Sequence, residues 1–147
     1  MKDLISSISI DFNFCAAKDF ILSNQDGGED LKENILIDLS LQFSVKIVKL
    51  CENIKGHYSI TNQLERSSTS VGANIREANY AHGKADFIAK LQISLKECFE
   101  SEYWLELMYK SGIIEETTAL DLIHDCGVLR RILISSINTA KAKMKKQ

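Results

Sequence analysis

Four glutamates, Glu97, Glu100, Glu102 and Glu106, fall within ten residues of one another. Carboxylates this dense invite a metal-centred reading, because di-iron bundles bind their metals with glutamates on facing helices. That chemistry also needs a Glu-x-x-His pair on each of two helices, and the chain has none. His57 and His82 fall near helix ends, and His124 stands with Asp125 and Cys126 on an acidic turn. No metal site and no cofactor is expected. No serine or cysteine has a recognisable nucleophile context, and no glycine-rich phosphate loop occurs. The expectation is a protein that is not an enzyme.

A second polar pattern surrounds these glutamates. Ser67, Ser70, Asn74 and Glu77 recur at three- and four-residue steps, and Lys90, Ser94, Glu97 and Ser101 do the same. On a helix each set forms one row. Small side chains let two backbones approach, and a dry Asn or Glu in such a seam must be hydrogen-bonded or carry a heavy desolvation cost. The rows are therefore expected to face one another or a neighbouring subunit, with Asn74 and Glu97 among the bonded groups. A solvated face is the alternative. Trp104, the only tryptophan, is either a core residue or an interface anchor of the aromatic kind that subunit contacts favour. Ser70, Asn74, Glu77, Ser94, Glu97 and Trp104 make up the candidate packing or interface network.

Helices must position these rows. Leu36, Leu39, Phe43, Ile47, Leu50 and Ile54 recur at helical spacing, which predicts a first helix over about Asn34–Ile54, stopped by Lys55-Gly56. A second is predicted over about Thr61–Ala81, with Thr61 as N-cap and Leu64, Ser68, Val71, Ile75 and Ala78 inward. The third spans about Lys84–Ser111, with Phe87, Leu91, Leu95, Cys98, Leu105 and Tyr109 on one face. The fourth runs over about Glu115–Lys143 on Leu122, Cys126, Leu129, Leu133, Ile137 and Ala140, nearly a heptad seam. Gly127 inside it predicts a close contact, since glycine there costs about 1 kcal/mol against alanine. Short connections force antiparallel neighbours. The fold class is therefore all-α, an antiparallel up-down-up-down four-helix bundle with an N-terminal extension.

Composition agrees. The 147 residues include no proline, and hydrophobic residues make up 45% against 26% charged, so one soluble core built from uninterrupted helices is favoured. Residues 1–30 form an acidic extension with two lysines against six acids. It closes on a polar, glycine-containing stretch, Asn24–Asp30, and is expected to dock on the body, pair with another subunit or stay flexible. The bundle proper is assigned to residues 31–147, where sixteen basic residues face fourteen acids. That near-neutral balance is far from the excess of a dedicated nucleic-acid binder. Lys141, Lys143, Lys145 and Lys146 form a small basic tail. Complementing the dipole of the last helix explains it, and RNA or partner contact is the sharper alternative. Cys15, Cys51, Cys98 and Cys126 never form CxxC, and Cys51, Cys98 and Cys126 fall on helix faces, where they are expected to pack as reduced thiols rather than as disulfides or metal ligands. With no secretion signal and no apolar run near the ~20 residues of a membrane span, the expected setting is cytoplasmic, without a membrane partner.

The motifs Ser70-Val71-Gly72-Ala73-Asn74-Ile75-Arg76-Glu77-Ala78, Lys84-Ala85-Asp86-Phe87-Ile88, Leu95-Lys96-Glu97 and Glu102-Tyr103-Trp104-Leu105 occur in an order that closely resembles a bacterial family. These are the four-helix-bundle proteins first noted as open reading frames in 23S ribosomal RNA intervening sequences. The likeness covers roughly Asn34–Lys143. It implies an antiparallel four-helix bundle that forms ring-like homo-oligomers, often pentamers. A related branch, the accessory protein of diversity-generating retroelements, is a basic ring that binds a reverse transcriptase and RNA. Two functions follow as expectations. One is a self-assembling interaction scaffold. The other is an RNA-associated accessory protein, with ribosomal RNA or a reverse transcriptase as partner, using a basic rim made by repeating one subunit's patch around a ring.

Overall fold

The computed structural model describes residues 29–145. The N-terminal extension lies outside them except for its last two residues, as do Lys146 and Gln147. Four helices follow in order: α1 (Glu29–Glu52), α2 (Tyr58–Ala78), α3 (Lys84–Lys110) and α4 (Glu116–Lys145). Five-residue connections join them, too short for anything but antiparallel neighbours. Each helix packs on its neighbours in sequence, and α1 also packs on α4, so the four form a closed square. The molecule is the expected all-α, up-down-up-down bundle.

The apolar periodicity explains the core. Leu36, Leu39, Phe43 and Ile47 of α1 meet Leu64, Val71 and Ile75 of α2, Leu91, Cys98 and Leu105 of α3, and Leu122, Cys126, Leu129 and Leu133 of α4. All are buried. Leu50, Ile54, Phe87, Leu95 and Tyr109, expected on the same faces, are half-buried against the core. Cys51, Cys98 and Cys126 are buried free thiols, and Cys126 donates to the Cys98 carbonyl at 3.1 Å. Burial, with Glu65 nearby, pushes the Cys51 thiol up to about 12, so it packs as a neutral group.

The helix ends and one mid-helix glycine depart from expectation. α1 begins at Glu29, more than a turn before the expected start near Asn34 and ahead of the domain boundary at residue 31, with acidic residue types that suit the positive end of a helix. Thr61 is not an N-cap. α2 starts a turn earlier, with His57 in the N-cap position and no side-chain cap, and Thr61 Oγ1 donates back to the His57 and Tyr58 carbonyls, both at 3.3 Å. Gly127 makes no close interhelical contact, because a Cβ there would meet only Arg131 Nη1 at 3.9 Å. The close approach occurs instead at Gly72, where a Cβ would sit 3.3 Å from Ser40 Oγ. Beside it Ser44 Oγ donates to the Ser68 carbonyl at 3.1 Å, so small residues set the α1–α2 distance. Gly112, at φ 74°, turns the chain after α3 in a conformation that favours glycine.

One buried ion pair ties α1 to α4. Lys46 Nζ lies 2.6 Å from Asp125 Oδ2, with the lysine side chain 48% exposed and the aspartate 6%. Burial still holds the Asp125 carboxyl above its ordinary value, against the opposing pull of Lys46.

Candidate functional site

The antiparallel packing of α2 and α3 brings the two polar rows together along one seam. At the loop end, Lys90 Nζ pairs with Glu77 Oε2 at 2.5 Å. Deeper in, Ser94 Oγ donates to the Val71 carbonyl at 3.0 Å. Farther along, Ser101 Oγ donates to Ser67 Oγ across the seam at 2.9 Å. Ser67, Ser94 and Ser101 are fully buried, and their small size is what lets the two backbones come close enough for these bonds.

Two residues behave differently from expectation. Asn74 does not bond across the seam. Its Nδ2 folds back onto its own helix, donating to the Ser70 carbonyl at 2.9 Å and to Ser70 Oγ at 3.3 Å, the usual local alternative for a short amide. Glu97 makes no side-chain hydrogen bond across the seam among the described residues, although its carbonyl accepts from Ser101 Oγ at 2.8 Å. Its Oε2 is buried without a hydrogen-bond partner. The cation best placed to answer it, Arg66, is taken by Glu100 Oε1 at 3.0 Å. That same oxygen accepts from Trp104 Nε1 at 3.3 Å. Burial, reinforced by the charge of Glu100 and partly opposed by Arg66, holds the Glu97 carboxyl above its ordinary value.

Trp104 is half-buried at the edge of the seam, edge-on to Tyr103 at a centroid distance of 5.0 Å. Ile93, one turn before Glu97, is 40% exposed. Beyond Trp104 the outer surface of α3 forms a shallow cleft of about 400 Å³ bordered by Tyr103, Leu107 and Lys110. Arg66 and Glu100, which lock this end of the seam, did not emerge as a pair from sequence. Each lies beside a row serine, Ser67 and Ser101, and that adjacency was the available signal.

Lys141, Lys143 and Lys145 are exposed at the end of α4, and Lys146 lies outside the described residues. Lys143 borders a second cleft, of about 270 Å³, with Gly83, Lys84 and Phe87. Among the described residues, no three His, Cys, Asp or Glu side chains converge as a metal site would require. No helix there is long and apolar enough to cross a membrane. The seam combines packing, hydrogen bonding and one unanswered acid, which suits recognition of a surface.

Comparison with known proteins agrees with this architecture. No curated protein matches the chain. A crystal structure at 1.70 Å of a protein of unknown function from the S23 ribosomal protein family of Bacteroides thetaiotaomicron is similar, with 42% identity and a TM-score of 0.69. The match covers 73% of this chain and 98% of that one. The model of the 23S rRNA-intervening sequence protein family matches residues 32–135, a span that takes in α2, α3 and the whole seam. The chain belongs to the 23S rRNA-intervening sequence protein family.

Proposed function

We propose that this protein is a non-enzymatic, self-assembling four-helix bundle that acts as an interaction scaffold in the cytoplasm, with the outer side of the α2–α3 seam as its assembly surface. The observation that carries this reading is Glu97. A solvent-excluded carboxylate oxygen without a donor is rare in folded proteins and asks for a partner. Its own chain offers it none among the described residues. Half-buried Trp104 and exposed Ile93 flank it, the aromatic and aliphatic types that anchor subunit contacts. The ring-forming habit implied by the family resemblance supports the same reading, and the buried, unpaired thiols fit a reducing compartment. Light scattering on the full chain tests it. The expected result is a defined homo-oligomer, a pentameric ring by family resemblance, that falls to subunit mass when Trp104 is replaced by Ala.

RNA association is the second reading. It is favoured by the exposed lysines at the end of α4, which a ring would repeat around one rim, and by the ribosomal RNA in the family's name. Its contacts would be to phosphates, so affinity must fall steeply with salt. Titration against a structured ribosomal RNA fragment across a salt series decides it: no binding at low salt removes this reading and leaves the scaffold.

A further inference from the structure

The cleft of about 270 Å³ opens at the end of the bundle where α1 and α3 begin and α2 and α4 finish. Its floor is apolar, with Ala78 and Ala140 buried and Phe87 half-buried. Its rim is basic: Lys84 and Lys143 are both exposed, and no acid is among the described residues that line the cleft. The acids next to it in sequence are turned to other groups, Glu77 to Lys90 Nζ and Asp86 to the His82 N–H at 3.1 Å. α3 starts here with Gly83 as N-cap and no side-chain cap, and the start of a helix favours negative charge. A Cβ on Gly83 would meet nothing within 4 Å, so the mouth is open on that side. A cleft this small, below the size of most small-molecule sites, suits one apolar side chain flanked by carboxylates.

The chain itself carries such a segment, in the part that lies outside the described residues. Asp19-Phe20-Ile21-Leu22 is the last apolar run before the polar stretch that leads into α1, and Asp26 follows it. This part of the chain joins the bundle at the same end as the cleft. Ser40 stands beside Gly72, so the antiparallel register sets residue 34 of α1 level with Ala78 of α2. α1 begins five residues before that, at Glu29, about 7 Å beyond the level of the cleft. It packs on both α2 and α4, which with α3 form the cleft. Glu29 is nine positions after Phe20, an extended reach of about 30 Å, whereas the diagonal of a square of four packed helices is about 14 Å. We propose that residues 19–26 fold back over this end of their own subunit, with Phe20 seated on Phe87 and the alanines of the floor, and Asp19 and Asp26 set against Lys84 and Lys143. Seating the ring removes its apolar surface from water, and its flanking carboxylates answer the basic rim. The contact lies within one subunit and does not depend on the assembly reading. Docked there, the segment offsets part of the positive charge at the end of α4.

Amide hydrogen exchange on the full chain, read by mass spectrometry with helicity checked by circular dichroism, tests the contact. In the wild type the amides of residues 19–22 should exchange on the order of tenfold or more slowly than those of an unstructured peptide, to the same extent at every protein concentration. Ala81→Trp, which fills the cleft from its wall, should abolish that protection. Lys84→Glu combined with Lys143→Glu, a change confined to exposed positions, should reduce it several-fold. Phe20→Ser, which lies outside the bundle and leaves its core intact, should in turn speed exchange over residues 84–87. Unprotected amides at 19–22 in the wild type would overturn the contact. So would protection that survives both cleft variants while the bundle remains helical. Protection that grows with protein concentration would overturn it too, by placing the segment on a second copy.

Discussion

Glu97 places one carboxylate oxygen where nothing among the described residues bonds it, and that has a measurable cost. Its proton is held above the usual value of 4.5, chiefly by burial. A carboxyl raised in this way favours the folded state while protonated, and that advantage is lost as the pH rises through its folded value. In the dissociated subunit, Glu97→Gln should therefore stabilise the fold at neutral pH by about 1 kcal/mol, with the gain shrinking as the pH falls toward 4.5 and below. Urea melts at several pH values check it, and a pH-independent difference would contradict the account. Asp125 has the same sign but a partner. Lys46→Met leaves its carboxyl buried and unpaired and should cost about 1–3 kcal/mol at neutral pH, discounted toward the lower end because Lys46 is half exposed. That cost should vanish below pH 3.8, where Asp125 is protonated in both states. Much at this scale was legible in spacing alone: Ser67, Ser94 and Ser101 do line the seam. The isolation of Glu97 was not, because it depends on Arg66 reaching Glu100, and that follows from the register between two helices.

At the scale of the helix, two glycines that look alike in sequence have opposite consequences. Gly72 sits where α2 crosses α1, with Ser40 Oγ 3.3 Å from any added Cβ. Gly72→Leu should destabilise by about 1–3 kcal/mol through overpacking. Gly127 meets nothing closer than 3.9 Å, so Gly127→Ala should stabilise the subunit by up to about 1 kcal/mol through helix propensity. Thermal melts of the two variants check both effects. The sequence pointed to Gly127 as the close contact, since a mid-helix glycine needs a reason, and it passed over Gly72 beside Ser68. Faces of helices can be read from periodicity, whereas the distance between two particular helices cannot. Ends were less legible than faces for a similar reason. Thr61 has the right chemistry for a cap, but Tyr58, Ser59 and Ile60 extend the helix a turn before it.

The whole molecule follows from few constraints. The chain contains no proline, and four helices joined by five-residue connections have one economical arrangement, the closed square observed. The square buries one side of each helix and leaves outer faces that the core does not explain. One carries Ile93, Glu97 and Trp104, and another carries Leu120, Arg131 and Ile134. Family membership rests on residues 32–135, which contain both faces, and self-assembly is the reading that the unpartnered Glu97 oxygen supports. The most direct test of that claim is the native mass of the full chain, measured by sedimentation velocity over a range of concentrations. The account predicts a discrete species at a multiple of 16.6 kDa. A mass of 16.6 kDa at every concentration would contradict it.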